Sequence, residues 1–357
     1  MKNAAALLLI SLFTACSAKE PETAAPQKES AMKLYTFQEP HMGTLFTLRV
    51  WAQEGQVDEL TLLKKKVFAR IGELNQAFSD YLPESEINDL ARAPVGTPIP
   101  VSDDLFRILA ESEKLWKATD GAFDITAGPL IRLWRRAKKN QELPTPDQLT
   151  RARIRTGFDH LALDPVQKTV TKRMEGMLFD LGGIAKGYAA DAALELLVGA
   201  GFSRSLVAAS GDIVVGDPPP GKEGWRIGIE TLELETDYKK IPTVTLTNQA
   251  ISTSADTRRY FVLDGVRYSH IVSTRTGLGL TERIGASVVA PTATQSDSHA
   301  TAVTLLGEKD GLQFIRNKRE IECQIVSLRE ENEVVIRSDG FPQSQEKDKE
   351  KAALPAP

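Results

Sequence analysis

One stretch of this chain is the most informative about its fold and reads Phe179-Asp180-Leu181-Gly182-Gly183-Ile184-Ala185-Lys186-Gly187-Tyr188. It predicts an apolar strand that passes into a helix through a pair of glycines, with one acid and one base beside the turn. Glycines at such a turn let backbone amides and carbonyls approach a ligand closely. The stretch has neither the G-x-G-x-x-G spacing of dinucleotide-binding folds nor a Walker A pattern. A tight strand-to-helix turn that binds nothing is the alternative interpretation.

On both sides of this stretch, the hydrophobic periodicity indicates a mixture of helices and strands. Helices are predicted over residues 57–77, over 102–119 with Ser102 as N-cap, and over 182–201. The last of these helices carries a small-residue stripe formed by Ala185, Ala189, Ala192 and Leu196. Strands are predicted over residues 44–51, 205–215, 226–230, 243–246, 258–263, 286–290 and 321–328. Because the elements mix without strict βαβ alternation, the sequence predicts an α+β fold.

The first residues are typical of an export signal. Lys2 precedes an apolar run, residues 4–13, which is too short to span a bilayer. The segment Phe13-Thr14-Ala15-Cys16 resembles the lipobox of bacterial lipoproteins. We therefore expect a lipidated Cys16 and an exported protein that is anchored to a membrane on its periplasmic side. A plain secretory signal with an incidental cysteine is the alternative.

Composition divides the chain into four parts: a lipoprotein signal peptide with the lipidated cysteine (1–16), a flexible tether (17–31), one compact domain (32–342) and a disordered tail (343–357). The 357 residues, 41% of them hydrophobic, can bury a sizeable core. A net charge of −4 gives no basic excess, so no nucleic-acid partner is expected. Cys16 and Cys323 are the two cysteines, so a lipidated Cys16 leaves no partner for an internal disulfide.

A second informative segment begins a predicted helix after residue 290 and reads Gln295-Ser296-Asp297-Ser298-His299-Ala300-Thr301. Asp297 and Thr301 are four residues apart, so on a helix both side-chain oxygens project from one face, which suits a hard cation. The alternative is that Asp297 simply caps the start of the helix. His299 lies off that face and is expected to be a surface or packing residue.

Further short clusters follow one another in a characteristic order: His41-Met42-Gly43-Thr44, Phe78-Ser79-Asp80-Tyr81-Leu82-Pro83, Phe123-Asp124-Ile125-Thr126-Ala127-Gly128-Pro129-Leu130, Ser210-Gly211-Asp212, Ile251-Ser252-Thr253-Ser254, and His270-Ile271 followed by Arg275-Thr276-Gly277. Each cluster alone is compatible with a turn or a cap. Together with the two segments above, they resemble the FAD:protein FMN transferases, the ApbE family, over residues 35–328.

The resemblance implies a single mixed domain of the ApbE, T-fold-like type. It implies transfer of the FMN half of FAD to a threonine of acceptor flavoproteins, with membrane redox-complex subunits as the acceptors. It also implies Mg²⁺ held by the side chains of Asp297 and Thr301 and the carbonyl of Gly183, which favours the metal interpretation of that pair. The FAD pocket implied by the resemblance is lined by Met42, Tyr81, Ala122, Phe123, Asp124, Asp180, Lys186 and His270.

The implied reaction is phosphoryl transfer, which depends on positioning and charge neutralisation. Lys186 would stabilise charge near the diphosphate. His270 is the first candidate for the general base because imidazole titrates near neutrality, and Asp297 is the competing candidate. A Mg²⁺-dependent FAD pyrophosphatase and a non-catalytic flavin-binding lipoprotein are the alternative functions.

The sequence departs from the family pattern at three places. Ser273-Thr274 replaces Asp-Pro after the His-Ile pair, Ala255 replaces the glycine of T-S-G, and Ser210 replaces the first glycine of G-G-D. These departures affect the expected shape of loops more than the expected binding of flavin and metal.

Overall fold

The computed structural model describes residues 31–229, 232, 241–255, 259–329 and 332–343. Residues from Met32 onward form one unit. The predicted α+β class is confirmed, because helices pack against a large antiparallel sheet. Cys16 and nearly all of the predicted tether and tail lie outside the described residues, so those predictions stand as they were made. Within the described residues, no helix is both long and apolar enough to cross a bilayer.

The secondary structure alternates irregularly between strands and helices along the chain. The strands are β1 (Lys33–His41), β2 (Thr44–Ala52), β3 (Ile99–Pro100), β4 (Leu161–Asp164), β5 (Thr169–Lys172), β6 (Ser205–Ala209), β7 (Asp212–Val215), β8 (Trp225–Gly228), β9 (Thr243–Leu246), β10 (Gln249–Ala255), β11 (Tyr260–Leu263), β12 (Val266–Ser269), β13 (Ile284–Ala290), β14 (Glu322–Arg329) and β15 (Asn332–Arg337). The helices are α1 (Val57–Phe78), α2 (Glu86–Arg92), α3 (Asp103–Ala118), α4 (Gly128–Asn140), α5 (Pro146–Arg153), α6 (Ala185–Gly199) and α7 (Ala293–Arg316).

The main sheet has the order β1-β2-β6-β7-β10-β13-β14-β15, and each neighbouring pair is antiparallel. Helix α6 packs on β6 and β7, helix α7 packs on β10, β13 and β14, and α1 packs on α6. Alternate residues of the sheet point to the opposite face, where the β8–β9 hairpin covers them through Trp225 and Val244. The sheet therefore places the first turns of α6 and α7 side by side.

Two of the predicted helices agree closely with the structure. The helix predicted over residues 57–77 is α1, and the one predicted over 102–119 is α3. Ser102 caps α3 as expected, because its hydroxyl accepts a hydrogen bond of 3.2 Å from the Leu105 amide. Asp120 and Gly121 then end this region in left-handed conformations, with φ of 49° and 73°.

The prediction for α6 was wrong in its start and in one residue of its stripe, whereas Ala185 and Ala189 are buried and Ala192 is partly buried against the core. Gly182 and Gly183 form the turn, and the helix begins at Ala185. The buried face runs through Ala189, Ala193 and Leu197, whereas Leu196 of the predicted stripe is 37% exposed. The helix packs against α1, α7 and the sheet at once, so its apolar residues form no single stripe from which the periodicity could be read.

Two strand predictions were also wrong. The single strand predicted over 205–215 is the β6–β7 hairpin, in which Ser210 adopts a left-handed conformation with φ of 62°. The strand predicted before Gly182 is reduced to one bridge between Ala127 and Leu178. Both segments are apolar because they are buried, and burial alone does not reveal a two-residue turn.

Candidate active site

A buried cluster of three charged side chains joins three elements of the fold. Lys186 lies in the first turn of α6, Asp212 begins β7, and Asp297 lies in the first half of α7. The Nζ atom of Lys186 is 2.8 Å from Oδ2 of Asp212 and 3.3 Å from each carboxylate oxygen of Asp297. The two aspartates are each only 4% exposed. The cluster is therefore an ion triad with one cation and two carboxylates.

The triad carries more negative than positive charge. Burial and the negative charge of Asp212 together raise the pKa of Asp297 to about 7, although Lys186 opposes the shift. Burial lowers the pKa of Lys186, but the charges of Asp212 and Asp297 outweigh burial and raise it overall. With one ammonium between two carboxylates, additional positive charge would be stabilised at this position.

The position of Asp297 on α7 shows that it is not the helix cap. Thr292 is the N-cap, because its hydroxyl accepts a hydrogen bond of 3.2 Å from the Gln295 amide. Oδ2 of Asp297 instead accepts a hydrogen bond of 3.0 Å from the Gly187 amide of α6. The capping interpretation of Asp297 was therefore wrong, and its carboxylate faces the glycine-rich segment.

Two glycines of that segment allow the backbone to reach α7. A Cβ atom on Gly183 would lie 3.0 Å from both Cγ2 and Oγ1 of Thr301, and one on Gly187 would lie 2.1 Å from the Ala293 carbonyl oxygen. Side chains at these positions would thus push α7 away. Gly183, Asp297 and Thr301, the three predicted metal ligands, lie on facing parts of this α6–α7 contact.

A further acid on α6 holds the start of α7 in place. The carboxylate of Asp191 accepts hydrogen bonds from the amides of Ala293 and Thr294, at 2.7 and 2.8 Å, and one of 2.6 Å from the Thr294 hydroxyl. A carboxylate at a helix N-terminus satisfies backbone donors that have no partner in the helix. Asp191 therefore fixes the start of α7 against α6, and with it the positions of Asp297 and Thr301 relative to Lys186.

A second polar cluster surrounds Tyr81 and Asp180, two residues of the predicted FAD pocket. The guanidinium of Arg135, on α4, lies 2.5 Å from Oδ2 of Asp80 and 2.6 Å from Oδ2 of Asp180. Its Cζ atom lies 4.5 Å from the ring centroid of Tyr81, and Tyr81 is 73% exposed. The other carboxylate oxygen of Asp180 accepts a hydrogen bond of 2.8 Å from the Gly182 amide. Asp180 thus connects this cluster to the glycine turn.

The side chains of the predicted pocket segment Ala122-Phe123-Asp124 make contacts within the protein. Ala122 and Phe123 are buried. The Oδ1 atom of Asp124 accepts hydrogen bonds of 2.8 and 2.7 Å from the amide and the hydroxyl of Thr126, which holds a turn. Burial raises the pKa of Asp124 to about 6, although the bonds from Thr126 oppose this shift.

His270 and Met42 lie on separate elements. His270 directly follows β12 and is exposed, and its Nδ1 atom lies 3.0 Å from the carbonyl oxygen of Arg259. A carbonyl only accepts, so this geometry favours the tautomer with its proton on Nδ1 and the lone pair on Nε2. Met42 lies in the β1–β2 turn with φ of 50°, and no hydrogen bond among the described residues joins its side chain to either cluster.

Charge connects the His270 strand to the Tyr81 cluster. Partial desolvation and the negative charges of Asp80 and Asp180 raise the pKa of Tyr81, and the positive charges of Arg135 and Arg259 oppose that shift. Arg259 is also the residue whose carbonyl contacts His270. Trp134 of α4 supports the same strand, because its Nε1 donates a hydrogen bond of 3.1 Å to the Ser269 carbonyl.

Two of the three departures from the family pattern, at Ser273-Thr274 and at Ala255, are accommodated locally. The Ser273 hydroxyl accepts hydrogen bonds of 3.2 and 3.4 Å from the Arg275 and Thr276 amides, as an aspartate would in the same turn. Ala255 pairs with Gly285, and a Cβ atom on Gly285 would lie 2.7 Å from that of Ala255. The strand pair therefore has its glycine on β13 instead of β10.

Sequence reasoning gave no role to Asp212, Asp191 or Arg135. Asp212 stands in the quoted Ser210-Gly211-Asp212 cluster, so its motif was a usable signal. Asp191 and Arg135 belong to no such motif, and their partners are distant in sequence. Only the fold brings these pairs together.

The chain is similar to known proteins over most of its length. The sequence matches the family model described as the ApbE family over residues 42–325. It is 30% identical over 277 residues to an FAD:protein FMN transferase of Vibrio cholerae, covering 76% of this chain and 81% of that protein. It is 31% identical over 283 residues to one of Klebsiella pneumoniae, covering 78% and 80%. The solved flavin transferase ApbE from Vibrio cholerae superposes with a TM-score of 0.77 at 27% identity, covering 87% of this chain and 98% of that one.

Proposed function

The chain belongs to the ApbE family, and on that premise we propose that it transfers the FMN moiety of FAD to a threonine hydroxyl of an acceptor flavoprotein, releasing AMP. The observation that carries this proposal is the buried triad of Lys186, Asp212 and Asp297 beside the contact between Gly183 and Thr301. With a cation bound, such a site would neutralise and orient a diphosphate, which is what phosphoryl transfer requires.

The residues of the site fit a divalent cation. Asp297 supplies a buried carboxylate, Thr301 supplies a hydroxyl and Gly183 supplies a carbonyl, which are the oxygen ligands that Mg²⁺ prefers. The Lys186 ammonium already stands 3.3 Å from both oxygens of Asp297, so a positive charge is accommodated at this carboxylate. Bound Mg²⁺ would polarise the diphosphate oxygens of FAD and offset their charge.

In the proposed reaction the threonine oxygen attacks the FMN-side phosphorus of FAD. A new P–O bond forms, the bond from that phosphorus to the bridging oxygen breaks, and AMP leaves with the bridging oxygen. Lys186 stabilises the negative charge that develops on the diphosphate. The hydroxyl proton passes to a general base.

His270 is the better supported general base. Its Nδ1 contact with the Arg259 carbonyl favours a lone pair on Nε2. The raised pKa of Asp297 would also suit a base, but both of its oxygens lie near Lys186 and Oδ2 accepts the Gly187 amide, so the carboxylate is held within the triad. Asp297 is better suited to bind the cation.

We also propose where in the cell the protein acts. The signal and lipobox-like Cys16 support an exported protein, lipid-anchored on the periplasmic side of a membrane, with membrane redox-complex subunits as acceptors. Incorporation of labelled fatty acid into the wild-type protein, and its loss in Cys16→Ser, tests the anchor. Unlabelled wild-type protein would contradict it.

One experiment separates the proposed transferase from its alternatives. The purified protein is mixed with FAD, Mg²⁺ and a threonine-bearing acceptor flavoprotein, and the intact mass of the acceptor and the released nucleotides are measured. An acceptor that gains the mass of FMN, with AMP released, is the expected result. Free FMN with AMP and an unmodified acceptor would identify a pyrophosphatase, and intact FAD would identify a binding protein.

A further inference from the structure

Arg135 lies outside the short sequence motifs quoted above, yet it contacts two segments of the predicted FAD pocket. Its two terminal nitrogens lie within 2.6 Å of Asp80 and Asp180, one on each carboxylate. Asp80 belongs to the loop after α1, and Asp180 to the segment before α6. Arg135 therefore ties α4 to both segments with one side chain.

The two carboxylates would repel each other without this cation. Burial raises the pKa of Asp180, the charge of Asp80 raises it further, and Arg135 and Lys186 oppose these effects. Asp180 also accepts the Gly182 amide at 2.8 Å, which fixes the first glycine of the turn beside the triad. Arg135 thus acts on the glycine turn through Asp180.

The same guanidinium supports the ring of Tyr81. Its Cζ atom lies 4.5 Å from the ring centroid, a distance at which a planar guanidinium stacks on an aromatic face. Because the tyrosine is 73% exposed, most of its surface, including the face away from Arg135, is open to a ligand. A ring held on one side and open on the other is suited to stack on a planar aromatic system.

We propose that Arg135 is a positioning residue that holds Tyr81 in place to stack on the aromatic part of FAD and, through Asp180, holds the Gly182-Gly183 turn in place beside the diphosphate. The identity of the ligand rests on the proposed function. Lysine cannot reproduce this role fully, because one ammonium does not present two parallel donors and a stacking plane.

The test compares Arg135→Gln and Arg135→Lys with Arg136→Gln. Arg136 is the exposed neighbour on the same helix and forms no ion pair among the described residues. The readouts are the Kd for FAD from flavin fluorescence, and KM and kcat for FMN transfer. We expect Arg135→Gln to raise Kd and KM about tenfold while kcat stays within about threefold, because Arg135 touches no reacting bond. Arg135→Lys should fall between Arg135→Gln and the wild type, and Arg136→Gln should match the wild type.

A measurement without FAD tests the positioning role of Arg135 independently of the transfer reaction. In Arg135→Gln, amide hydrogen exchange should become faster over residues 79–83 and 180–184, and in Arg136→Gln it should not change. A folded Arg135→Gln variant with FAD affinity and exchange like the wild type would overturn the proposal. A wild-type protein that binds no FAD would overturn the ligand assigned here together with the proposed function, while the exchange measurement would still decide whether Arg135 orders the two segments.

Discussion

The ammonium of Lys186 lies 2.8 Å from a carboxylate oxygen of Asp212, a residue at the start of a strand in the middle of the sheet. Asp297 approaches the same ammonium from α7, so two buried acids share one base. A buried carboxylate without a full counter-charge destabilises the folded state. This fold nevertheless places two such carboxylates where α6, β7 and α7 meet. The excess of negative charge suits the cation that we propose binds here.

The first prediction concerns the loss of this ammonium. Lys186→Met leaves Asp212 and Asp297 facing each other without a cation, so we expect a loss of about 3 kcal/mol in the free energy of unfolding. Mg²⁺ should then raise the melting temperature of this variant more than that of the wild type, because the ammonium no longer competes for Asp297. Thermal denaturation with and without Mg²⁺ measures both effects. Lys309→Met, on an exposed part of α7, is the control, and an equal Mg²⁺ effect in all three proteins would contradict the prediction.

The second prediction concerns the contact between Gly183 and Thr301. Gly183→Ala places a methyl group 3.0 Å from the threonine side chain, so we expect a loss of about 1–3 kcal/mol in stability together with a loss of transfer activity. Adding Thr301→Ala removes the two atoms nearest to the new methyl group and leaves Cβ at 3.3 Å, so it should restore part of the stability without restoring activity. Chemical denaturation and transfer assays check this. Gly199→Ala, which meets no atom within 4 Å, should cost nothing, and a fully active Gly183→Ala would contradict the account.

The sequence could predict the parts of this site that depend on local pattern. Ser102 caps α3 as its position before the apolar run indicated, and the spacing of Asp297 and Thr301 put both on one face of α7. The family resemblance added roles for residues that no periodicity could provide, such as Tyr81 and Gly183.

The remaining features of the fold and of the site depend on contacts between residues that are far apart in sequence. Asp212 and Lys186 meet because β7 lies beside α6, and the two-residue turn that begins β7 was hidden in a continuous apolar run. Arg135 contacts Asp80 across 55 positions of sequence, which no local pattern reports. The buried face of α6 was predicted only in part for a related reason, since a helix packed on several sides has no single apolar stripe.

A third prediction follows from the buried carboxyl of Asp124. Its pKa of about 6 in the folded protein exceeds the ordinary value of 3.8, so between these values the folded state binds more protons than the unfolded state. The free energy of unfolding therefore falls as pH rises through this window, by up to about 3 kcal/mol. Asp124→Asn keeps an acceptor for Thr126 and should reduce that fall. Urea denaturation at several pH values measures it, and parallel curves for the two proteins would refute the assignment.

A fourth prediction concerns Ser210, which stands where the family has glycine and adopts φ of 62°. A non-glycine residue in this left-handed conformation costs about 1 kcal/mol or more. Glycine removes this cost, but its greater conformational entropy in the unfolded chain offsets part of the gain in stability. We expect Ser210→Gly to raise the free energy of unfolding by about 0.5 kcal/mol while transfer activity stays unchanged. Equilibrium denaturation tests this, and a destabilised variant would show that the serine side chain makes a compensating contact.

The most direct measurement is the initial rate of FMN transfer by Asp297→Asn beside that of Asp310→Asn. Both residues lie on α7, but Asp297 is buried in the triad and Asp310 is exposed. If the triad is the catalytic centre, Asp297→Asn should lose about 100-fold or more in rate, which corresponds to the several kcal/mol that a bound cation supplies. Asp310→Asn should retain the wild-type rate. A folded Asp297→Asn protein with a rate within about twofold of the wild type would contradict the central claim.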